Sequence, residues 1–156
     1  MQIQTIARWF ENRRNLLVTF LLLALVVVSF VGVNSVAAGG RPFSTELTGA
    51  AEVPGPGDPD GSGAAHLTIN QGQGEVCFDI TVADVAPITA AHIHAAPTGV
   101  AGSVVVNFNV AVNGLNGCVA ANPDLIKAIR QNPADYYVNV HNASFPAGAL
   151  RGQLGK

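Results

Sequence analysis

The sequence predicts an all-β domain, an antiparallel β-sandwich or Greek-key barrel with one short helix, set behind an N-terminal apolar segment. Three observations predict it. From residue 42 onward, short runs of alternating or β-branched residues recur between turns rich in Gly, Pro and Asn. A single stretch beyond residue 40 combines helical spacing with helix-end signals. The one long uninterrupted apolar run lies ahead of every strand-like run, so it stands apart from the domain's own core.

That run comes first in the chain. Asn15 to Gly40 carries no charged residue, and Leu16 to Val33 is apolar almost throughout. Arg8, Arg13 and Arg14 precede it against a single Glu11, which by the positive-inside rule leaves the N-terminus in the cytoplasm and sends the rest across the membrane. The expected location is therefore extracytoplasmic: secreted, periplasmic or at the cell surface. Two fates stay open. Ser35-Val36-Ala37 and Val36-Ala37-Ala38 offer the small residues of a signal-peptidase site, whereas an 18-residue apolar run, with Trp9 and Phe10 near the interface, also suits a retained membrane anchor. The expected division is residues 1–38 as signal peptide or anchor and residues 39–156 as one β domain.

Beyond residue 38 the chain carries five basic and nine acidic residues and no basic cluster in sequence. A mildly acidic domain of this kind argues against nucleic acid or anionic lipid as a partner. Both cysteines, Cys77 and Cys118, fall in the exported part, where a disulfide is stable. Neither has a second cysteine nearby, which disfavours a thiolate metal site. Closing a loop of this size is worth roughly 4 kcal/mol by the chain-entropy estimate.

The elements then follow in order. Pro42 to Gly49 alternates as a half-buried strand, and Val53 to Gly63 is a loop by composition. Asp58-x-Asp60-Gly61 lacks the later ligands of a calcium loop and reads as turn residues. Ala64 to Asn70 pairs across a Gln-Gly turn with Glu75 to Val82, whose Val76, Phe78, Ile80 and Val82 form the apolar face and whose Cys77, Asp79 and Thr81 form the other. After Pro87 come the segment containing His92 and His94, a strand over Ser103 to Val110 whose β-branched run Val104-Val105-Val106 reads as buried, and a turn over Asn113 to Gly117. Asn122 to Arg130 is the helix: Asn122 caps it, Pro123 suits its first position, Asp124 complements the dipole, and Leu125, Ile126 and Ile129 form its apolar stripe. Asp135 to His141, a Phe145-Gly148 turn and a strand over Ala149 to Leu154 complete the chain. Asn142-Ala143-Ser144 fits the glycosylation pattern, which occurs often by chance.

Chemistry concentrates at three histidines. In an extended chain His92 and His94 share one face while Ile93 points to the other. His141 lies in a second strand on the face of Tyr137 and Asn139, opposite Val138 and Val140. Three imidazoles suit copper or zinc and leave a coordination position open. Each ring would need an acceptor for its second nitrogen, for which Asp79, Asp135, Asn139 and backbone carbonyls are candidates. The competing expectation is structural, with the histidines bonded to loop backbone, His141 and Asn142 organising the Phe145-Gly148 turn, and Arg151 paired with a carboxylate. His66 has no partner motif and reads as a surface residue. No nucleophile elbow, phosphate loop or carboxylate pair is present.

The blocks Gly74-Glu75-Val76-Cys77-Phe78-Asp79-Ile80, Ala91-His92-Ile93-His94, Tyr136-Tyr137-Val138-Asn139-Val140-His141-Asn142 and Phe145 to Leu154 resemble the CHRD domain, first described in chordin and common in secreted bacterial proteins. The resemblance spans about Phe43 to Leu154. It implies an immunoglobulin-like β-barrel distantly similar to copper/zinc superoxide dismutases, and no settled activity. Carried over by residue, that similarity implies His92, His94 and His141 as copper ligands and Arg151 as a guide for anions. With no histidine between His94 and His141, the dismutase zinc site has no counterpart, so copper is expected ahead of zinc.

Two functions follow from this reading. One is a non-enzymatic exported module that binds a protein partner, as a surface component or as an accessory subunit of a membrane complex, touching the membrane only if the N-terminal helix is retained. The other is a small extracytoplasmic copper protein with dismutase-like redox activity.

Overall fold

A computed structural model describes residues 40–155 of the chain. The apolar N-terminal segment, with its expected fate as signal peptide or anchor, lies outside the described residues. Eight antiparallel strands form one sheet that curls into a nearly closed barrel: β1 (Arg41–Thr48), β2 (Ser62–Asn70), β3 (Glu75–Ala83), β4 (Ile88–Ala95), β5 (Ser103–Asn107), β6 (Asn116–Ala120), β7 (Tyr136–Asn142) and β8 (Leu150–Gln153). Two helices accompany them, α1 (Val110–Asn113) and α2 (Pro123–Gln131). Of the two expected architectures, the barrel is the one formed.

The order around the barrel is β5-β4-β7-β8-β1-β2-β3-β6. The first strand thus sits beside the last, and the open seam falls between β5 and β6, which are close neighbours in the chain. Phe108, directly after β5, stacks on Phe78 of β3 with ring centroids 4.3 Å apart, and the Ile80 amide donates to Leu115 O at 2.8 Å. The stacked phenylalanines tie the two sides of the seam together, while the Ile80–Leu115 bond continues the β3–β6 ladder past its Asp79–Asn116 pair.

Period-two patterning places the core. Val76, Phe78 and Ile80 of β3, Ala91 and Ile93 of β4, and Val138 and Val140 of β7 point inward and are buried. α2 adds Ile126 and Ile129 to this core. Asn122 caps that helix as its sequence indicates, accepting from the Asp124 amide at 2.8 Å. Gly152 lets β8 approach β1, since a Cβ there would collide with the Glu46 carbonyl oxygen.

Two expectations need correction. The strand after residue 103 ends at Asn107 rather than Val110, and Val104 is 48% exposed, so the β-branched run is a sheet edge and not a buried strand. The stretch expected as a turn over Asn113 to Gly117 runs instead into β6 from Asn116 on, a strand that among the described residues pairs only with β3. Cys77 and Cys118 lie directly across from each other on those two strands and form a disulfide. Asn142 is 1% exposed and its Oδ1 accepts from the Phe145 amide at 2.8 Å, so the apparent glycosylation signal is a turn-forming residue. Asp58 likewise accepts from the amides of Asp60 and Gly61. Among the described residues no helix is long and apolar enough to cross a membrane.

Candidate metal centre

The outer face of β4 and β7 carries the site. His92 lies across from Asn139 and His94 across from Tyr137, while His141 follows on the same face of β7 beside Ala90. A register shift between Ile93 and His94 sets Val104 of β5 beside His94. Side chains on this face leave the core but are not simply in water. Tyr137 and Asn139 are buried, because loops 49–61 and 96–102 fold over them.

The three histidines converge, their candidate ligand atoms all lying within 4.8 Å of one another. His94 Nδ1 donates to Gly102 O at 2.9 Å, and His141 Nδ1 donates to Pro146 O at 3.1 Å. Each bond puts the proton on Nδ1 and leaves Nε2 with its lone pair free. His141 Nε2 stands 3.2 Å from His92 Nδ1. His94 Nε2 is buried and, among the described residues, has no hydrogen-bond partner. The outer-shell acceptors are thus backbone carbonyls, not Asp79, Asp135 or Asn139. The structural expectation for the Phe145-Gly148 turn also holds, since His141 and Asn142 both bond to it.

Burial keeps these rings neutral. Desolvation, with the neighbouring His141 and His94 adding to it, pushes His92 down to about 4. Desolvation also lowers His94 and His141, against the opposing pull of their bonds to Gly102 and Pro146. Neutral imidazole is the form that ligates a metal.

Arg151 corrects the expectation of an open anion guide. It is 2% exposed, and its guanidinium donates to Val100 O at 2.9 Å, Pro97 O at 3.0 Å and Gln153 Oε1 at 3.1 Å. Its Cζ lies 3.5 Å from the centre of the Tyr137 ring, and Tyr137 also stacks on His94. Because β7 runs between β4 and β8, the tyrosine separates His94 from the arginine. Arg151 therefore holds the 96–102 loop that supplies the Gly102 acceptor. It pairs with carbonyls, where a carboxylate partner such as Asp79 or Asp135 was the alternative. Gln153 reinforces the loop by donating to Ala96 O at 2.9 Å.

Sequence reasoning missed Glu52. Buried beneath its loop, it accepts from Asn139 Nδ2 with both oxygens, at 2.8 and 2.9 Å. Desolvation raises its pKa, with the Asn139 bond and the Arg151 charge pulling the other way. Nothing in the pattern around Glu52 marks it, since its partner is 87 positions away. His66 is exposed on β2 and among the described residues its ring bonds only to Ser44, as expected of a surface residue.

Residues 43–154 match the family model of the CHRD domain, and the chain belongs to that family. Searches of curated proteins and of solved structures find no significant match.

Proposed function

We propose that this CHRD domain is an exported metal-binding module that holds one copper ion between His92 Nδ1, His94 Nε2 and His141 Nε2. The observation that carries the reading is the His94 Nε2 atom, buried and without a partner among the described residues, facing two other neutral imidazoles. A buried acceptor left unpaired costs roughly 1–3 kcal/mol, and a bound cation removes that cost. Imidazole nitrogens sharing one ion stand about 3–3.5 Å apart, and the His92–His141 separation of 3.2 Å fits.

Copper is favoured over zinc because an all-imidazole donor set follows the ordinary order of divalent affinities. When bound, copper supplies a one-electron centre and a Lewis acid. The chain's own contribution is to fix two tautomers through Gly102 and Pro146, to keep the rings unprotonated, and to clamp the covering loop with Arg151. A dismutase-like activity finds less support, because the arginine expected to guide the anion is spent on carbonyls. The disulfide suits an oxidising, extracytoplasmic compartment. There the domain serves as a surface component or as an accessory subunit of a membrane assembly.

The test is elemental analysis of the purified chain, with copper and zinc counted before and after dialysis against a mild chelator. His92 is the informative position, since its hydrogen-bond partner is His141 and both backbone anchors survive its truncation. Near-stoichiometric copper that disappears in a folded His92→Ala variant is expected. A folded wild type that takes up no copper when supplied with it would leave the histidines a purely structural role. Sequencing the mature N-terminus decides between anchor and signal peptide: an intact Met1 in the membrane fraction indicates retention, and a start at Ala38 or Gly39 indicates cleavage.

A further inference from the structure

The exported part shows no basic cluster in sequence, yet the fold builds one. Arg41, Lys127 and Arg130, three of its five basic residues, line a single cleft of about 290 Å³ together with Gln71 and Gln131. The cleft lies between the start of β1 and the last turns of α2, and no carboxylate is among its lining residues. Its volume lies just below the usual range of ligand pockets, ample for a small hydrated ion.

Cations beside a helix C-terminus ordinarily offset its dipole and bond its last carbonyls. Arg41 does so here, its Nη1 donating to Arg130 O at 2.7 Å across 89 positions of sequence. Its guanidinium also lies 5.0 Å from the Phe43 ring centre, so the group is held in place with further N–H donors to spare. Arg130, in the last turn, offsets the same dipole, and Lys127 stands one turn before it. Neither has a carboxylate partner among the described residues, and the side chain of Arg130 reaches only Gln71 Oε1 at 3.5 Å. Two forked guanidiniums, one ammonium and two carboxamides thus line one space with no acid among its lining residues. In a domain that is otherwise acidic, such a concave positive site focuses the field on small anions.

We propose that this cleft binds a phosphate-type oxyanion, with Arg41, Lys127 and Arg130 as its cationic ligands. The planar forks suit two oxygens of a tetrahedral anion and the lysine supplies a point charge. Free phosphate and the phosphodiester of an anionic lipid headgroup share that chemistry.

The experiment is calorimetric titration of the full chain in non-ionic detergent at low ionic strength, with chloride as reference anion. Inorganic phosphate is one titrant. Glycerophosphoglycerol, the soluble headgroup of an anionic lipid, is the other. Saturable one-to-one binding of at least one titrant is expected, weakened at least about tenfold by Lys127→Gln/Arg130→Gln, given the worth of charge-assisted hydrogen bonds. The substitution of Arg130 leaves its carbonyl, and hence the Arg41 bond, in place. Tighter binding of the headgroup assigns the site to lipid, and tighter binding of phosphate assigns it to a free anion. Lys127 is exposed and its ammonium has no partner among the described residues, so Lys127→Gln alone serves if the double variant fails to fold, with a loss of several fold expected and metal content unchanged. No saturable heat with either titrant, or affinity that survives the substitutions, overturns the proposal.

Discussion

His92 differs from the other two histidines of the cluster in what holds it. His94 and His141 each donate to a loop carbonyl, whereas the hydrogen-bond partner of the His92 ring among the described residues is His141. Its ring is also the one that burial pushes furthest, to about 4 against an ordinary value of 6.5. Between those two values the unfolded chain binds a proton that the folded cluster refuses, so stability falls as the pH falls through that window. Below about 4 the His92 penalty is complete, and the lowered pKa values of His94 and His141 act in the same direction. Glu52 acts with the opposite sign, because its raised pKa makes the fold lose stability as pH rises through its folded value. The two effects separate in a comparison of metal-free wild type with His92→Gln. The melting temperature of the wild type is expected to drop relative to the variant between pH 6.5 and 4, titrating as one coupled cluster. Parallel curves over that range would refute the buried, neutral arrangement. Bound copper should leave in the same window, since protons compete for the same lone pairs.

At the scale of elements, β6 shows what the disulfide does. This strand pairs only with β3 and has the seam on its other side, so the Cys77–Cys118 bond clamps a sheet edge. Replacing both cysteines with alanine is expected to cost up to about 4 kcal/mol in denaturant unfolding. Amide exchange should accelerate first in Asn116–Ala120, and unchanged protection there would show that β6 needs no clamp. The same strand shows where sequence reading runs out. β3 and β7 were legible because four or more residues alternate cleanly, and a one-residue slip would turn their valines to the outside. β6 is five residues long with a glycine in second place, too short for a period and sharing its start with turn-forming Asn and Gly. The His-x-His spacing and the inward valines of β7 turn the three imidazoles away from the core, whereas the pairing of β4 with β7 that brings them together is a matter of sheet order, which no local pattern carries. The acceptors that orient two of them are carbonyls of Gly102 and Pro146, and a carbonyl carries no residue-type signal. The family resemblance points to Arg151, but the partners that fix its role come from a loop 51 and 54 positions earlier, a distance no local pattern spans.

At the scale of the whole molecule, the barrel and the histidine site rest on opposite faces of the same strands. Ala91 and Ile93 fill the core while His92 and His94 face the loops, so β4 serves both at once. Closure, by contrast, depends on residues that face only inward. Phe108 is 0% exposed and bridges from the end of β5 to Phe78 on the far side of the seam. Phe108→Ala removes a stacked pair and leaves a cavity where the sheet lacks a hydrogen-bonded neighbour, so a cost of about 3–5 kcal/mol is expected. His92→Ala removes a half-buried ring whose side-chain hydrogen bond is to another histidine, so above pH 6.5 its cost in the metal-free protein should stay within about 1 kcal/mol. The two variants should therefore separate by readout. Phe108→Ala lowers the unfolding midpoint and still binds copper in the fraction that stays folded, whereas His92→Ala keeps the midpoint and loses copper. If His92→Ala unfolded the metal-free domain as severely as Phe108→Ala, the histidine cluster would be part of the structural core, and the metal reading would lose its support.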